Sequence, residues 1–199
     1  MTIRRLAAVL AATLLLPAAT GCAPAVIGAA GMAGVAAAEE RGLKGAIDDT
    51  RIRAEIHHLW FQHDVEMYRK VDLTITEGKV LLTGIVPTPD ARVDAVRLAW
   101  QAAGVRQVLN EIHVSDQASL IDFGRDVLIA NTLRTKILFD KDVKNVNYSV
   151  DAVNGIVYVM GIAQDQAEMN RVLNHARNLS NVKKVINYVV LKDDPRRAQ

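Results

Sequence analysis

The sequence predicts an α+β fold made of two tandem α-β-β-α-β modules, each a small mixed sheet packed by two helices. Three observations carry this. From residue 47 onward the chain repeats itself at a fixed spacing. Each copy passes through helical and then strand periodicity in the same order. A tight Gly-containing connection joins the first two strands of each copy. Composition fits this reading. With 199 residues there is room for two small domains, and 50% hydrophobic content excludes a wholly disordered chain. A single Cys excludes an intramolecular disulfide and a Cys-rich zinc site.

The repeat is seen in Gly78-Lys79-Val80 against Gly155-Ile156-Val157, Gly84-Ile85 against Gly161-Ile162, and Ala99 against Ala176. Val105, Val108 and Asn110 match Val182, Val185 and Asn187, and all these pairs lie 77 residues apart. Upstream, Thr50, Arg53 and Ile56 match Thr132, Arg134 and Ile137 at offsets of 82, 81 and 81, which implies extra residues between the first helix and first strand of copy one.

The first helices are expected over 48–61 and 125–139. Ile52, Ile56 and Leu59, and then Ile129, Leu133 and Ile137, each form one apolar stripe. Val71, Leu73 and Ile75 alternate as a strand, and Glu77-Gly78 and Asn154-Gly155 read as hairpin turns. The second strands are 79–86 and 156–163; the latter is apolar on both faces and is expected to lie centrally. Thr88-Pro89 and Asp165 with Glu168 start the second helices as caps. The last strands are 105–114 and 182–191, and a strand-helix-strand connection implies a parallel pair with a right-handed crossover. Gly84 and Gly161 are read as letting the second helix approach the sheet.

The N-terminus is a separate matter. Arg4 and Arg5 precede the uncharged run Leu6–Leu16, Pro17 and small residues, which is a secretory signal pattern over 1–21. Ala19-Thr20-Gly21-Cys22 resembles a bacterial lipobox, which implies acylation of Cys22 and, with Ala23 following, sorting to the outer membrane. Several acyl chains anchor firmly where one does not. Residues 22–46, rich in Ala and Gly, read as a tether, and 193–199 as a polar tail. The formal charge is +2, but Arg4 and Arg5 leave with the signal segment, so 22 basic residues face 22 acidic ones. No Lys/Arg stripe with interleaved aromatics remains, so nucleic acid is not an expected partner. Residues 47–115 carry net −2 and 116–199 net +2.

Chemistry-bearing motifs are few. There is no Gly-x-Ser-x-Gly, no His-Glu-x-x-His and no phosphate-cradling Gly loop, so no catalytic residue, cofactor or small-molecule substrate is assigned. His57, His58, His63 and Asp64 suggest a metal site only weakly, since His57 and His58 point to different sides of a helix; they are read as helix-end side chains, and no metal is expected. Asp48, Asp49 and Asp64 are read as caps rather than acid/base pairs.

Two motifs carry a resemblance. They are Gly-x-Val-x-Leu-x-Gly (Gly78, Val80, Leu82, Gly84; then Gly155, Val157, Val159, Gly161) and Gly/Asn-Val-x-x-Val-x-Asn (Gly104, Val105, Val108, Asn110; then Asn181, Val182, Val185, Asn187). The pattern resembles the BON domain (bacterial OsmY and nodulation), with modules at 47–115 and 116–192. With the lipobox and tether, the chain resembles the dual-BON outer-membrane lipoproteins. That resemblance implies a non-enzymatic, lipid-anchored protein facing the periplasm that binds anionic phospholipid and supports outer-membrane integrity. It places lipid contact on the first helix of module two, where Asp126, Ile129, Arg134 and Leu138 match; the contact residues would be Leu128, Ile129, Arg134 and Lys136. Leu128 stands where the best-known relative in that family has an aromatic residue at the start of this helix, and the alternative for it is packing on module one. A second reading is a protein-interaction adaptor docking an envelope assembly or secretion partner.

Overall fold

The computed structural model describes residues 38–116 and 120–198; the signal segment, Cys22 and the tether up to residue 37 lie outside the described residues. Residues 36–199 form one compact unit. Helix α1 spans Gly42–His63, a short α2 Val65–Lys70, strand β1 Val71–Thr76, β2 Lys79–Val86, α3 Pro89–Ala99, β3 Gln107–Asn110 and β4 His113–Val114. The second module follows as α4 Leu120–Phe139, a 3-10 turn Asn145–Asn147, β5 Tyr148–Val153, β6 Ile156–Ala163, α5 Gln166–Arg177, β7 Lys184–Leu191 and a last 3-10 turn Pro195–Ala198.

In both modules the middle strand of the sequence is also central in the sheet. The orders are β1-β2-β3 and β5-β6-β7, antiparallel across the hairpin and parallel after the crossover helix. β4 continues the parallel pairing on β2, so the expected strand 105–114 is interrupted at Glu111 and Ile112. The expected caps form: Thr88 accepts from Ala91 N–H at 3.2 Å, and Asp165 from Glu168 N–H at 2.8 Å. The Glu168 carboxylate reaches back to Gln164 N–H at 2.7 Å and across to Lys144 N–H at 2.8 Å.

Each central strand is apolar on both faces because each face meets a different layer. Val80 and Leu82 point to Ile52, Ile56 and Trp60 of α1 and Ala95 of α3, forming the first core. Val157 and Val159 do the same with Ile129, Leu133 and Ile137 of α4 and Val172 of α5. The opposite faces join. Leu81 packs with Val153, Tyr158 and Met160, flanked by Ile85, Leu109, Ile186 and Tyr188. The modules therefore stack sheet on sheet, with helices outermost.

Three expectations need correction. The first helix begins at Gly42, inside the stretch expected to be tether. The repeat has no insertion before its first strand. The buried stripe Ile52, Ile56, Trp60 lies 77 residues before Ile129, Leu133, Ile137, so the offset of the strands holds through the helices too. The matches at 81 and 82 were one helical turn out of step. What fills the space is α2, capped by Asp64 accepting from Glu66 N–H at 2.8 Å. Finally, Gly84 and Gly161 do not serve helix packing. A Cβ at either would overlap the carbonyl oxygen of Lys70 or Asn147, the residue that leads into the first strand of its module. At the Gly104/Asn181 position the backbone has φ of +98° and +66°, a conformation Asn tolerates better than other side chains, which explains the one departure from the repeat motif.

Candidate functional site

The surface marked by sequence is α4. Its core side is Asp126, Ile129, Ala130, Leu133 and Ile137, all buried. The other side is unusually apolar for a solvent face. Ile121 is 75% exposed, Phe123 68% and Leu128 68%, with Val127 beside them and Leu138 and Phe139 exposed at the far end. Leu128 is thus open to solvent, not packed on module one. Ile129, 4% exposed, belongs to the core and is removed from the contact set, because residues adjacent on a helix point about 100° apart. Arg134 is exposed but engaged, donating to the Val150 carbonyl at 2.5 Å and to Asn131 Oδ1 at 3.0 Å. Lys136 is exposed and makes no hydrogen bond or ion pair among the described residues. Phe123, which sequence reasoning passed over, brings an aromatic ring to the start of the helix. Its signal was available as an apolar residue off the core stripe.

Asp126 has a different task from the one its motif suggested. Only 7% exposed, it accepts the N–H of Asn154 at 2.6 Å and of Gly155 at 2.8 Å, tying α4 to the β5–β6 turn. Asp49 does the same for Glu77 and Gly78, both at 2.9 Å. These are buried caps on hairpin turns. The histidines scatter. His57 stacks edge-on with Tyr68 at 5.3 Å and titrates low through burial and then the nearby Arg53. His63 Nε2 lies 3.2 Å from Asp94, and Asp64 caps α2. Among the described residues no group of three or more His, Cys, Asp and Glu is placed to hold a metal.

Two clefts open where the modules meet. The first, about 300 Å³, lies between the end of β2 and the start of α4, with Asp72, Ile85, Phe123, Asp126 and Val153 in its wall. The second, about 200 Å³, lies at the other end of β1, where Thr76 meets Asn147, Ser149 and Ile162. Between them the interface carries polar ties. His113 Nε2 is 3.0 Å from the Tyr158 hydroxyl, Tyr188 donates its hydroxyl to Glu111, and Thr83 donates to Asp151. Burial, and then the Glu111 carboxylate, push both tyrosine hydroxyls above their ordinary range. Asp72, opposite Thr83 on β1, titrates high for two reasons: desolvation first, then the facing Asp151, against the pull of Arg134.

With this geometry established, comparison with known proteins is decisive for the family. The BON domain model matches residues 48–116 and again 125–193. The chain belongs to the BON domain family. An uncharacterized protein of Anaplasma centrale is 41% identical over 147 residues, covering 73% of this chain and 96% of that protein. The outer membrane lipoprotein DolP of Haemophilus influenzae is 32% identical over 187 residues, covering 92% of this chain and 94% of its own length. The osmotically-inducible protein Y of Escherichia coli is 26% identical over 143 residues, 71% of each. Both BON repeats coincide with the two α+β modules, and no helix among the described residues is long and apolar enough to cross a membrane.

Proposed function

We propose that this BON protein is a non-enzymatic outer-membrane lipoprotein, anchored through Cys22, that faces the periplasm and binds anionic phospholipid through the exposed side of α4 in support of outer-membrane integrity. The observation that carries the reading is that helix itself. Its inner face is a complete core stripe, yet Ile121, Phe123 and Leu128 stand in solvent at its N-terminal half. Large apolar side chains clustered in this way mark a surface that meets lipid or protein. Phe123 suits the interface between acyl chains and headgroups. Arg134 and Lys136 lie on the same helix, and each cation near an anionic surface adds about 1 kcal/mol. The outer-membrane assignment is supported by the Haemophilus lipoprotein, which matches across nearly the whole chain, and by the lipobox at Cys22.

The test is vesicle co-sedimentation of residues 36–199, which include the whole of α1. Phosphatidylglycerol vesicles should retain the protein, and phosphatidylcholine vesicles should not. Salt should weaken the retention. Leu128→Asp and Phe123→Asp should abolish it with the fold intact. Equal partitioning onto both vesicles, or no effect of Leu128→Asp, sinks the proposal.

A further inference from the structure

The two inter-module clefts are counterparts under the 77-residue repeat. Asp72, Ile85 and Val153 of the first correspond to Ser149, Ile162 and Thr76 of the second. Among the described residues they differ in what lines them. The second cleft holds Glu39–Arg41, the residues that precede α1. Glu40 N–H donates to Asn147 Oδ1 at 2.8 Å, and the Arg41 guanidinium donates to Asp49 Oδ2 at 2.6 Å and to the Ile75 carbonyl at 3.1 Å. An arginine from the chain's own N-terminal arm thus completes the coordination of the buried carboxylate.

The first cleft contains the same receptor groups without the arginine. Asp126 and Ala152, the counterparts of Asp49 and Ile75, both line it. Asp126 is buried and accepts its two hairpin N–H groups as Asp49 does, but among the described residues no cation reaches it. The counterpart of Arg41 in sequence is Ala118, so the chain encodes no guanidinium at that point. The local charge favours a cation as well. Asp72 and Asp116 are further carboxylates of the wall, while the two basic residues there, Arg69 and Lys70, are both paired with Glu66, at 3.4 and 3.2 Å.

We infer that the first cleft is a docking slot for an extended segment of a partner polypeptide bearing an arginine, whose guanidinium sits against Asp126 and the Ala152 carbonyl as Arg41 sits against Asp49 and the Ile75 carbonyl. Arginine suits this place better than lysine because its planar fork serves a carboxylate and a carbonyl together. The exposed ring of Phe123 offers a flat wall for the same group. The slot is separate from lipid binding in its chemistry, although Phe123 borders both.

The experiment is a titration of isotopically labelled residues 36–199, followed by NMR, with the blocked peptide acetyl-Ala-Ala-Arg-Ala-Ala-amide. Parallel arms carry Lys, citrulline or Glu in place of Arg, and one further arm uses phosphatidylglycerol-containing micelles. The arginine peptide should give saturable shifts at Gly84, Ile85, Phe123 and Ala152–Asn154. Citrulline should weaken binding about tenfold, the cost of losing one charge-assisted contact. Asp126→Asn should abolish it. Should that variant lose its fold, Asp72→Asn, on the edge strand β1 and outside the hydrophobic core, should still weaken the arginine peptide selectively. No saturable shift with the arginine peptide, equal shifts with the Glu peptide, or movement of the Gly84, Ile85 and Ala152–Asn154 resonances by micelles alone overturns the inference; a micelle shift at Phe123 by itself reports lipid binding.

Discussion

Asp49 and Asp126 hold the same position in the two modules. Each buried carboxylate clamps the hairpin turn of its own sheet to the first turns of its own first helix, through two backbone N–H groups. Removing such a carboxylate leaves two donors unpaired in a buried site. Asp126→Ala should therefore cost about 2–4 kcal/mol of stability, and Asp126→Asn, which keeps one acceptor, should cost less. Asp49→Ala should be the more damaging of the pair, because it also takes from the half-buried Arg41 one of its two carboxylate partners. There the hydrogen bonds and charges of Glu39 and Asp49 raise the guanidinium against the opposing effect of burial. Urea midpoints for the three variants check the order; equal losses at Asp49 and Asp126 would show that Arg41 adds nothing.

The glycines separate into those the fold requires and those it tolerates. Gly84 has φ of +119° and no room for a Cβ beside the Lys70 carbonyl. Gly84→Ala must move the entry of β1, and a loss above about 2 kcal/mol is expected. Gly124 lies inside α4 with open space around it. Gly124→Ala should raise stability by about 0.5–1 kcal/mol through helix propensity. Thermal unfolding of both variants decides the matter, and a tolerated Gly84→Ala contradicts the geometry.

The strands were readable from the sequence because their determinants are rigid. Gly84 and Gly161 occur where a backbone carbonyl presses on the strand, and Asn110 and Asn187 accept from the N–H two residues on, at 3.2 and 2.9 Å. Each of these has one place it can go. The helices misled because an apolar stripe repeats every turn. Arg53 and Arg134 look equivalent and do reach equivalent carbonyls, Leu73 and Val150, but from positions one turn apart. The burial of Asp49 and Asp126 was illegible for another reason: their partners are backbone groups of a turn far along the chain. The two-faced apolar character of β6 predicts central placement, and β6 lies between β5 and β7. That its second face meets another sheet rather than a helix depends on long-range packing that no local pattern encodes.

Leu128 and Ile129 are neighbours in sequence with opposite roles, and this gives a clean separation of stability from binding. Ile129→Ala removes a core side chain and should cost about 2–4 kcal/mol. Leu128→Ala should leave the unfolding midpoint within about 0.5 kcal/mol of the parent and reduce vesicle retention. Parallel denaturation and co-sedimentation curves check it. Were Leu128→Ala to unfold as easily as Ile129→Ala, the exposed side of α4 would have to be redrawn.

Asp72 makes the joint between the modules sensitive to pH. Desolvation, and secondarily the facing Asp151, hold its pKa above the ordinary 3.8, so the folded chain keeps the proton more tightly than the unfolded one. Below pH 3.8 both states are protonated and the group contributes nothing. As pH rises through that value towards the raised one, the unfolded chain ionises first, and stability falls by linkage until the folded carboxyl has ionised too. At neutral pH the penalty is complete. Asp72→Asn removes it, so the variant should be more stable than the parent at neutral pH, with the difference closing on acidification. Thr83 and Asp151, joined to each other across the same joint, stay in place in the variant. Urea midpoints of both proteins across the acidic range measure the gap. A variant weaker than the parent at neutral pH, or a gap unchanged by acid, would place the attraction to Arg134 above the cost of desolvation.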